Sequence, residues 1–264
     1  MKKLFVLLLS LLALPLHASD WQDDPRLAAA FARAGLAGTF VVYDVAADRL
    51  IGHDRARAET RFIPASTFKI PNSLIGLDSG TVASVDQALP YGGKPQWNKA
   101  WEKDMGLREA IKVSNFPVYQ ELARRTGLAR MQAGVKALGY GNGEIGTAVD
   151  RFWVDGTLTI SAVEQTRFLA RLARGELPVS RQAQADVREI TLLESGPGWS
   201  LHAKTGWSDA SRPDLGWWVG WVEKGGRVYA FALNIDMPPK PALDGALKAR
   251  IGLGRECLGI LGIL

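Results

Sequence analysis

The chain has 264 residues, of which 47% are hydrophobic and 22% are charged, a balance typical of a globular protein rather than a disordered one. Its formal net charge of +5 comes from 32 Lys and Arg against 27 Asp and Glu. These basic residues are scattered along the chain, which argues against nucleic acid as the main partner. Cys257 is the one cysteine, so an internal disulfide is excluded, and the pattern around it indicates a buried helical residue rather than a nucleophile.

Residues 1–18 have the pattern of a secretory signal peptide. Lys2 and Lys3 precede an apolar run over residues 4–14, and the small residue Ala18 offers a cleavage point. The run is shorter than the roughly 18 residues of a membrane span, and no later stretch reaches that length. We therefore expect an exported, periplasmic protein without a membrane span, in which residues 19–264 form one folded domain.

The remaining pattern predicts an α+β fold. The predicted helices cover residues 24–37, 107–112, 117–126, 128–138, 161–174 and 242–258. The predicted strands cover residues 39–45, 49–52, 199–204, 217–223 and 227–235, with a hairpin turn at 224–226. This order predicts an antiparallel sheet flanked by the terminal helices, with an all-helical subdomain beside it and a cleft between the two parts.

Ser66 and Lys69 stand three apart in the stretch PASTFKIPNS, at the predicted start of a helix. Residues at this spacing share one helix face, so the lysine amine can reach the serine hydroxyl. Phe68 and Ile70 flank the lysine, and burial among apolar groups would lower its pKa from about 10.4 toward neutrality. The pair thus predicts a nucleophile with its base; the alternative is an ordinary capped helix whose lysine reaches solvent.

Further motifs follow in the order that such a cleft requires. Lys204, Thr205 and Gly206 end the strand predicted over 199–204, where an ammonium, a hydroxyl and a closely approaching glycine could hold a substrate carboxylate beside Ser66. The others lie in the helical block and read Ser114-Asn115-Phe116 and Tyr140-Gly141-Asn142.

The motifs PASTFK, KVSNFPVYQELAR, YGN, FWVDGTLTISAVEQ, AKTGW, GWWVGW and FALNIDM follow one another over essentially all of residues 19–264. In this order and spacing the chain resembles a class D serine β-lactamase of the oxacillinase type, one of the penicillin-recognising serine enzymes. The resemblance implies an enzyme that hydrolyses β-lactam antibiotics and so causes resistance. It implies no metal, and a monomer or homodimer.

The resemblance also implies a role for each matching residue. Ser66 would be the nucleophile, and Lys69, N-carboxylated by CO2 or bicarbonate, would be the general base for acylation and deacylation. Trp153 would hold the carbamate through its indole N–H. Ser114 would relay a proton to the leaving ring nitrogen, with Lys204 close by.

By resemblance, the substrate-binding residues are Thr205 and Gly206 of the Lys-Thr-Gly motif, Trp207, Arg250 and Phe116. The backbone N–H groups of Ser66 and Trp207 would form the oxyanion hole, while Thr205 and Arg250 would bind the substrate carboxylate. Phe116 departs from the family pattern, which usually has valine at this position beside the modified lysine. Its larger ring could dry the pocket or could crowd the water that releases the acyl group.

Three alternatives use different chemistry. A penicillin-binding sensor or transpeptidase would be acylated on Ser66 but would deacylate slowly. A triad hydrolase lacks support because no Gly-x-Ser-x-Gly elbow occurs and the mature chain holds only His53 and His202, which we interpret as structural or surface residues. The sequence also shows no histidine and cysteine spacing typical of a zinc site.

Overall fold

A computed structural model describes residues 20–237 and 243–264, so the signal peptide predicted at 1–18 lies outside the described residues. The helices are α1 (Pro25–Ala34), α2 (Arg55–Glu59), α3 (Lys69–Asp78), α4 (Leu107–Lys112), α5 (Phe116–Thr126), α6 (Leu128–Leu138), α7 (Ala162–Ala173), α8 (Arg181–Thr191) and α9 (Leu243–Ile260). The strands are β1 (Asp20–Asp23), β2 (Gly38–Asp44), β3 (Arg49–His53), β4 (Leu192–Gly196), β5 (Trp199–Ser208), β6 (Asp214–Lys224) and β7 (Arg227–Met237).

The strands form one sheet in the order β1-β3-β2-β7-β6-β5-β4. Every neighbouring pair in this order is antiparallel except the first, because the edge strand β1 pairs with β3 in parallel. The predicted α+β class is confirmed, and the parallel edge pair is an addition to the predicted antiparallel sheet. In the β6–β7 hairpin, Gly225 and Gly226 have φ of 58° and 76°, a region that glycine adopts without a steric cost.

Helices cover both faces of the sheet. The terminal helices α1 and α9 contact each other and pack on one face, where Leu27, Phe31, Trp218 and Phe231 are among the buried residues. Helix α7 packs on the other face against β2, β6 and β7. A capping box starts this helix, because the Ser161 hydroxyl accepts from the Glu164 backbone N–H and the Glu164 carboxylate accepts from the Ser161 backbone N–H. The predicted flanking of the sheet by terminal helices is therefore confirmed.

The helical block lies beside the sheet and joins it through one contact that matters for function. Helix α3 packs on α5, α6 and α8, and a 3-10 turn over Ala65–Phe68 leads into α3 and contacts β5. Strand β5 is longer than the predicted strand over 199–204, since it continues through Ser208. Lys204, Thr205 and Gly206 consequently lie inside β5 rather than at its end, directly opposite the turn. The elements α2, α8, β1 and β4 were not predicted from the sequence.

Candidate active site

Ser66 lies in the 3-10 turn and Lys69 begins α3, so the two residues share one face of a continuous helical path. Lys69 Nζ donates a hydrogen bond to Ser66 Oγ at 2.9 Å. The lysine is 1% exposed, and its burial lowers its pKa to about 7. A large fraction of the amine is therefore neutral near physiological pH. The apolar neighbours Phe68 and Ile70 had predicted this lowering of the lysine pKa.

The backbone before Ser66 adopts an uncommon conformation. Ala65 has φ of 49°, in the left-handed region that costs a non-glycine residue on the order of 1 kcal/mol. Such strain persists where surrounding contacts enforce it, and it is concentrated at functional sites. The contacts are present here: Thr67 Oγ1 donates to Pro64 O at 2.7 Å and accepts from Gln165 Nε2 at 2.9 Å. The turn that presents Ser66 is held in place on both sides.

Trp153 lies beside this turn with its indole fully buried. Its ring stacks on Phe68, with centroids 5.5 Å apart, and meets Phe116 edge to face at 6.1 Å. Its Nε1–H is one of few buried polar groups in the described part of the chain that has no hydrogen-bond partner. A buried donor left unpaired costs about 1 to 3 kcal/mol, so this group is suited to an acceptor that the protein side chains do not supply.

Ser114 lies between α4 and α5 and contacts the second buried lysine. Lys204 Nζ donates to Ser114 Oγ at 3.0 Å and to the Thr205 carbonyl at 2.9 Å. Ser114 has φ of 54°, and Asn115 fixes this turn by capping α5, with its side-chain oxygen accepting from the Val118 N–H at 3.0 Å. The structure therefore places Ser114 and Lys204 in contact, as predicted.

The two lysines lie in a strongly cationic, dry environment. Burial lowers the pKa of Lys204 well below its ordinary value, and the charges of Lys69 and Arg250 lower it further. Burial also lowers the pKa of Arg250 to about 10. Among the described residues, no carboxylate forms an ion pair with any of these three groups. The Arg250 guanidinium, buried and without an acid, favours an anion from outside.

Gly206 brings β5 into close contact with the turn that carries Ser66. A Cβ atom at this position would lie 3.0 Å from Pro64 O and 3.1 Å from Thr67 Cγ2. The absence of a side chain is therefore what lets the strand approach. Arg250 on α9 is buried and donates through Nη1 to the Gly206 carbonyl. Trp207 follows Gly206 on β5, and its indole Nε1 donates to Asp214 Oδ2 at 3.2 Å.

A cleft of about 660 Å³ opens over these residues. Ser66, Ser114, Phe116, Thr205, Gly206, Trp207 and Arg250 are predicted site residues that line it. Lys69, Trp153 and Lys204 lie beneath the lining, where burial sets the pKa of both lysines. The structure thus brings all ten predicted site residues to one place.

Nine residues that line the cleft were not predicted from the sequence, and two of them are tryptophans. Trp97 and Trp101 form part of its wall, in a loop between α3 and α4 where no helical or strand periodicity occurs. Two tryptophans four residues apart in an otherwise polar loop are not explained by burial in a core. This pattern was the sequence signal that could have indicated a role for them at the site. Trp101 Nε1 donates to Val113 O at 2.9 Å, next to Ser114.

One predicted motif lies away from the cleft. Tyr140 is fully buried and its hydroxyl accepts from Gln165 Nε2 at 3.1 Å, the same amide that donates to Thr67. Gly141 has φ of 57°, and a Cβ there would lie 2.1 Å from Thr159 O. Asn142 Nδ2 donates to Thr157 O at 2.8 Å. Tyr140, Gly141 and Asn142 do not line the cleft, and the Tyr140 hydroxyl shares with Thr67 the Gln165 amide behind the Ser66 turn.

The remaining candidate nucleophiles and bases have structural surroundings. His202 is buried, stacks on Trp221 with centroids 4.3 Å apart and contacts Arg188 O through Nδ1 at 2.8 Å; burial lowers its pKa. His53 packs on Phe31 at 4.9 Å. Cys257 is fully buried on α9 and its pKa is raised to about 12 by burial, which confirms the prediction of a buried helical cysteine.

Comparison with known proteins agrees with this geometry. The family described as "Penicillin binding protein transpeptidase domain" matches residues 36–253. The chain is 45% identical to β-lactamase OXA-5 of Pseudomonas aeruginosa over 232 residues, which covers 84% of this chain and 87% of that one. The crystal structure of FUS-1 (OXA-85), a class D β-lactamase from Fusobacterium nucleatum subsp. polymorphum, matches with a TM-score of 0.87 at 42% identity and covers 92% and 100% of the two chains.

The chain belongs to the class D β-lactamase family.

Two other class D relatives extend the comparison. The class D β-lactamase YbXI from Nostoc matches with a TM-score of 0.86 and 39% identity over 90% of this chain and 99% of that one. β-Lactamase OXA-48 of Klebsiella pneumoniae is 40% identical over 237 residues, or 90% and 89% of the two chains. In this class D chain, no described helix is long and apolar enough to cross a membrane. Its described His, Cys, Asp and Glu residues form no group of three that could hold a metal ion.

Proposed function

We propose that this class D β-lactamase hydrolyses the β-lactam ring of penicillin-type antibiotics through an ester on Ser66, and so causes resistance to them. The single observation that carries the proposal is the buried Lys69 amine, 2.9 Å from Ser66 Oγ and with a pKa of about 7. A serine hydroxyl is a weak nucleophile until a base removes its proton. Here the base contacts the hydroxyl, and its lowered pKa gives a substantial neutral fraction near pH 7.

The residues around Lys69 also fit its N-carboxylation. Only a neutral amine attacks CO2, forming an N–C bond and releasing one proton. The Trp153 Nε1–H is buried, unpaired and located in the aromatic cluster beside Lys69, so it supports the proposal that an acceptor is added there. When Lys69 is carboxylated, the carbamate supplies an anionic general base. Phe68 and Trp153 exclude bulk water from the amine.

Acylation would proceed across the cleft. Ser66 Oγ attacks the lactam carbonyl carbon, the carbonyl oxygen takes the negative charge, and the C–N bond of the ring then breaks. The Ser66 and Trp207 backbone N–H groups would stabilise the oxygen. Ser114, held by Lys204 at 3.0 Å, would pass a proton to the ring nitrogen. A water molecule then adds to the ester carbonyl and releases Ser66.

The substrate carboxylate would lie at the cationic end of the cleft. Thr205 and Arg250 line this region, and the buried Lys204 and Arg250 have no acidic partner in the described chain. An anionic substrate therefore supplies the compensating charge at the point where Ser66 reacts. This reasoning favours β-lactams that bear a carboxylate on the ring beside the lactam nitrogen.

The test is hydrolysis of a chromogenic cephalosporin by residues 19–264, in degassed buffer and again with added bicarbonate. Sustained turnover that rises with bicarbonate and disappears in Lys69→Ala is expected, while the exposed lysine variant Lys136→Ala retains wild-type rates. Incubation with ¹³C-bicarbonate should give a carbamate resonance in the wild type and none in Lys69→Ala. Turnover that is unchanged in Lys69→Ala would remove Lys69 as the base.

A second candidate is favoured by the transpeptidase family match over residues 36–253. A penicillin-binding sensor or transpeptidase would give one stoichiometric burst on Ser66 that bicarbonate does not extend. The same experiment separates the two functions by the presence or absence of turnover after the burst.

The cellular setting remains a prediction. We infer export to the periplasm from the signal-peptide pattern at residues 1–18, and we expect cleavage after Ala18. N-terminal sequencing of the exported protein tests this site. A monomer or a homodimer is expected, and sedimentation of the mature protein distinguishes them.

A further inference from the structure

Tyr119 lies on α5, in the motif KVSNFPVYQELAR, and its aromatic ring contacts the amine of Lys69. Lys69 Nζ lies over the face of the ring, 5.3 Å from its centroid. Both side chains are buried. The amine therefore has two neighbours of different chemistry, the Ser66 hydroxyl at 2.9 Å and the π face of Tyr119.

Polar contacts with α3 fix the position of this ring. Ser73 Oγ donates its one proton to Lys69 O at 2.8 Å, so in its 2.8 Å contact with Tyr119 Oη the tyrosine hydroxyl donates and the serine accepts. Asn72 Nδ2 donates to Tyr119 O at 3.2 Å. Ser73 and Asn72 are both fully buried. The tyrosine is therefore held at its backbone and at its hydroxyl by the turn of α3 that follows Lys69.

The Tyr119 hydroxyl is not available as an acid or a base. Burial raises the pKa of Tyr119 well above its ordinary value, and the hydrogen bond with Ser73 opposes this in part. The proton of the hydroxyl is already donated to Ser73. What the residue offers to Lys69 is the face of its ring, which carries partial negative charge and attracts a cation or an N–H group.

The charge on the Lys69 amine is influenced by few other groups. Ser66 in the 3-10 turn, Tyr119 on α5 and Lys204 on β5 contact the amine or act on its charge. A charge on Lys204 disfavours one on Lys69, because the two repel each other. Among the described residues, no carboxylate forms an ion pair with Lys69. Apart from the Ser66 hydroxyl, the ring face is thus the contact that favours the ammonium form.

We propose that Tyr119 is a positioning residue for the reaction, whose ring face binds the N–H groups of the Lys69 amine and holds the amine against Ser66. This inference rests on the proposed function. Without the ring face, the amine would have an apolar pocket on this side, which disfavours its charged form and leaves it free to turn away from the serine. A base works best when its pKa lies near the operating pH. The ring therefore opposes burial and keeps Lys69 an effective base.

The experiment changes the charge of the ring face without removing the ring. Tyr119→Phe, which removes the hydroxyl, is compared with pentafluorophenylalanine at the same position, a ring of similar shape whose face no longer attracts cations. In each protein the Lys69 amine is titrated in degassed buffer through its Cε ¹³C resonance, assigned by its loss in Lys69→Ala. The pH dependence of kcat/KM for a chromogenic cephalosporin is measured at constant CO2.

Two controls separate the ring face from general packing. Tyr229 is the matched position, because Arg227 lies over its ring at 5.2 Å and the residue does not line the cleft. It receives the same pair of substitutions. Leu122→Ala removes a buried side chain from the helix and the apolar cluster that contain Tyr119, and leaves the tyrosine ring in place.

We expect the fluorinated ring to lower the Lys69 titration midpoint by about 0.5 to 1.5 pH units relative to Tyr119→Phe. The midpoint falls because the ring face stabilises the protonated amine, and removing that attraction makes the proton easier to lose. The acid limb of kcat/KM should move in the same direction, with KM unchanged. Both substitutions at Tyr229 should leave the midpoint where it is, and Leu122→Ala should lower stability without moving it.

Equal midpoints for the phenylalanine and its fluorinated form at position 119 overturn the role of Tyr119, and continued turnover then leaves the proposed function standing. If the pentafluorinated protein does not fold, a single para-fluorine on the ring replaces it, and a smaller movement in the same direction is expected. The ¹³C titration needs no turnover. A wild type that hydrolyses no β-lactam therefore refutes the proposed function, while the titration still decides whether the ring binds the amine.

Discussion

Lys204 Nζ donates a 3.0 Å hydrogen bond to Ser114 Oγ, and this contact joins the middle of strand β5 directly to the turn before α5. This pair of polar side chains is one of the contacts through which the sheet and the helical block meet, and it lies in the cleft with Ser66. Ser114 has φ of 54°, so its hydroxyl is presented by a strained backbone that Asn115 stabilises. The path from the cleft hydroxyl to the buried Lys204 amine exists only because the two parts are docked.

Ser114→Ala tests this path. We expect kcat to fall by about 10²- to 10⁴-fold, since a positioned proton donor contributes that much to breaking a bond to nitrogen. Pre-steady-state kinetics should place the loss in acylation. Ser84→Ala, at an exposed loop position, is the control and should be neutral. A defect confined to deacylation would contradict the role of Ser114 as relay to the ring nitrogen.

Trp153→Phe tests the unpaired indole. The substitution removes the Nε1–H while a ring remains to pack on Phe68. We expect the ¹³C-carbamate resonance of Lys69 to weaken and turnover to require a higher bicarbonate concentration. Trp221→Phe is the control for loss of a buried indole N–H, because the Trp221 Nε1–H donates to Glu223 and the residue does not line the cleft. Equal bicarbonate dependence in the two variants would argue against Trp153 as the donor.

The pH dependence follows from the lowered pKa of Lys69. Below about pH 7 the amine becomes protonated, so it can neither take the Ser66 proton nor react with CO2. We expect kcat/KM, measured at constant CO2, to decline toward acid with a midpoint near pH 7, and to decline in the same way in Lys136→Ala. A midpoint near pH 4 would instead indicate a carboxyl group as the base.

Phe116→Val restores the residue that is usual in the family. Phe116 packs edge to face on Trp153 at 6.1 Å and lines the cleft, so its ring covers part of the approach from the cleft to the buried amine. The smaller side chain should admit water and speed deacylation by a few-fold, while lost packing lowers stability by about 1 to 3 kcal/mol. Single-turnover kinetics and chemical denaturation measure the two effects. Slower deacylation would show that the ring orders the water instead.

Gly206→Ala tests the close approach of β5 to the Ser66 turn. The new Cβ would lie 3.0 Å from Pro64 O, a backbone atom that cannot move without shifting the turn. Overpacking of this kind costs about 1 to 3 kcal/mol, and the displaced Ser66 should lose most of its reactivity. Gly259→Ala is the control, since nothing lies within 4 Å of a Cβ there and alanine favours the helix. Full activity in Gly206→Ala would mean that the approach is not required.

Sequence pattern alone predicted much of this protein, for local reasons. Helical spacing placed Lys69 one turn from Ser66. The apolar neighbours Phe68 and Ile70 predicted that the lysine is buried and that burial lowers its pKa. The capping box at Ser161 and the glycines of the β6–β7 hairpin are likewise local signals, because each depends on residues a few positions apart. Motif order then indicated the class D β-lactamase family over residues 19–264.

Only the tertiary structure decided the contacts between distant segments. The 3.0 Å bond between Ser114 and Lys204, the unpaired indole of Trp153 and the extension of β5 through Gly206 depend on how the sheet docks on the helical block. Tyr140 illustrates the difference. Its motif lies between the site motifs in the sequence, yet its side chain is buried behind the Ser66 turn. Trp97 illustrates the converse, since its place at the cleft depends on a loop without periodicity. Periodicity reports which face of an element is buried, whereas the partner of that face is set by packing across the whole chain.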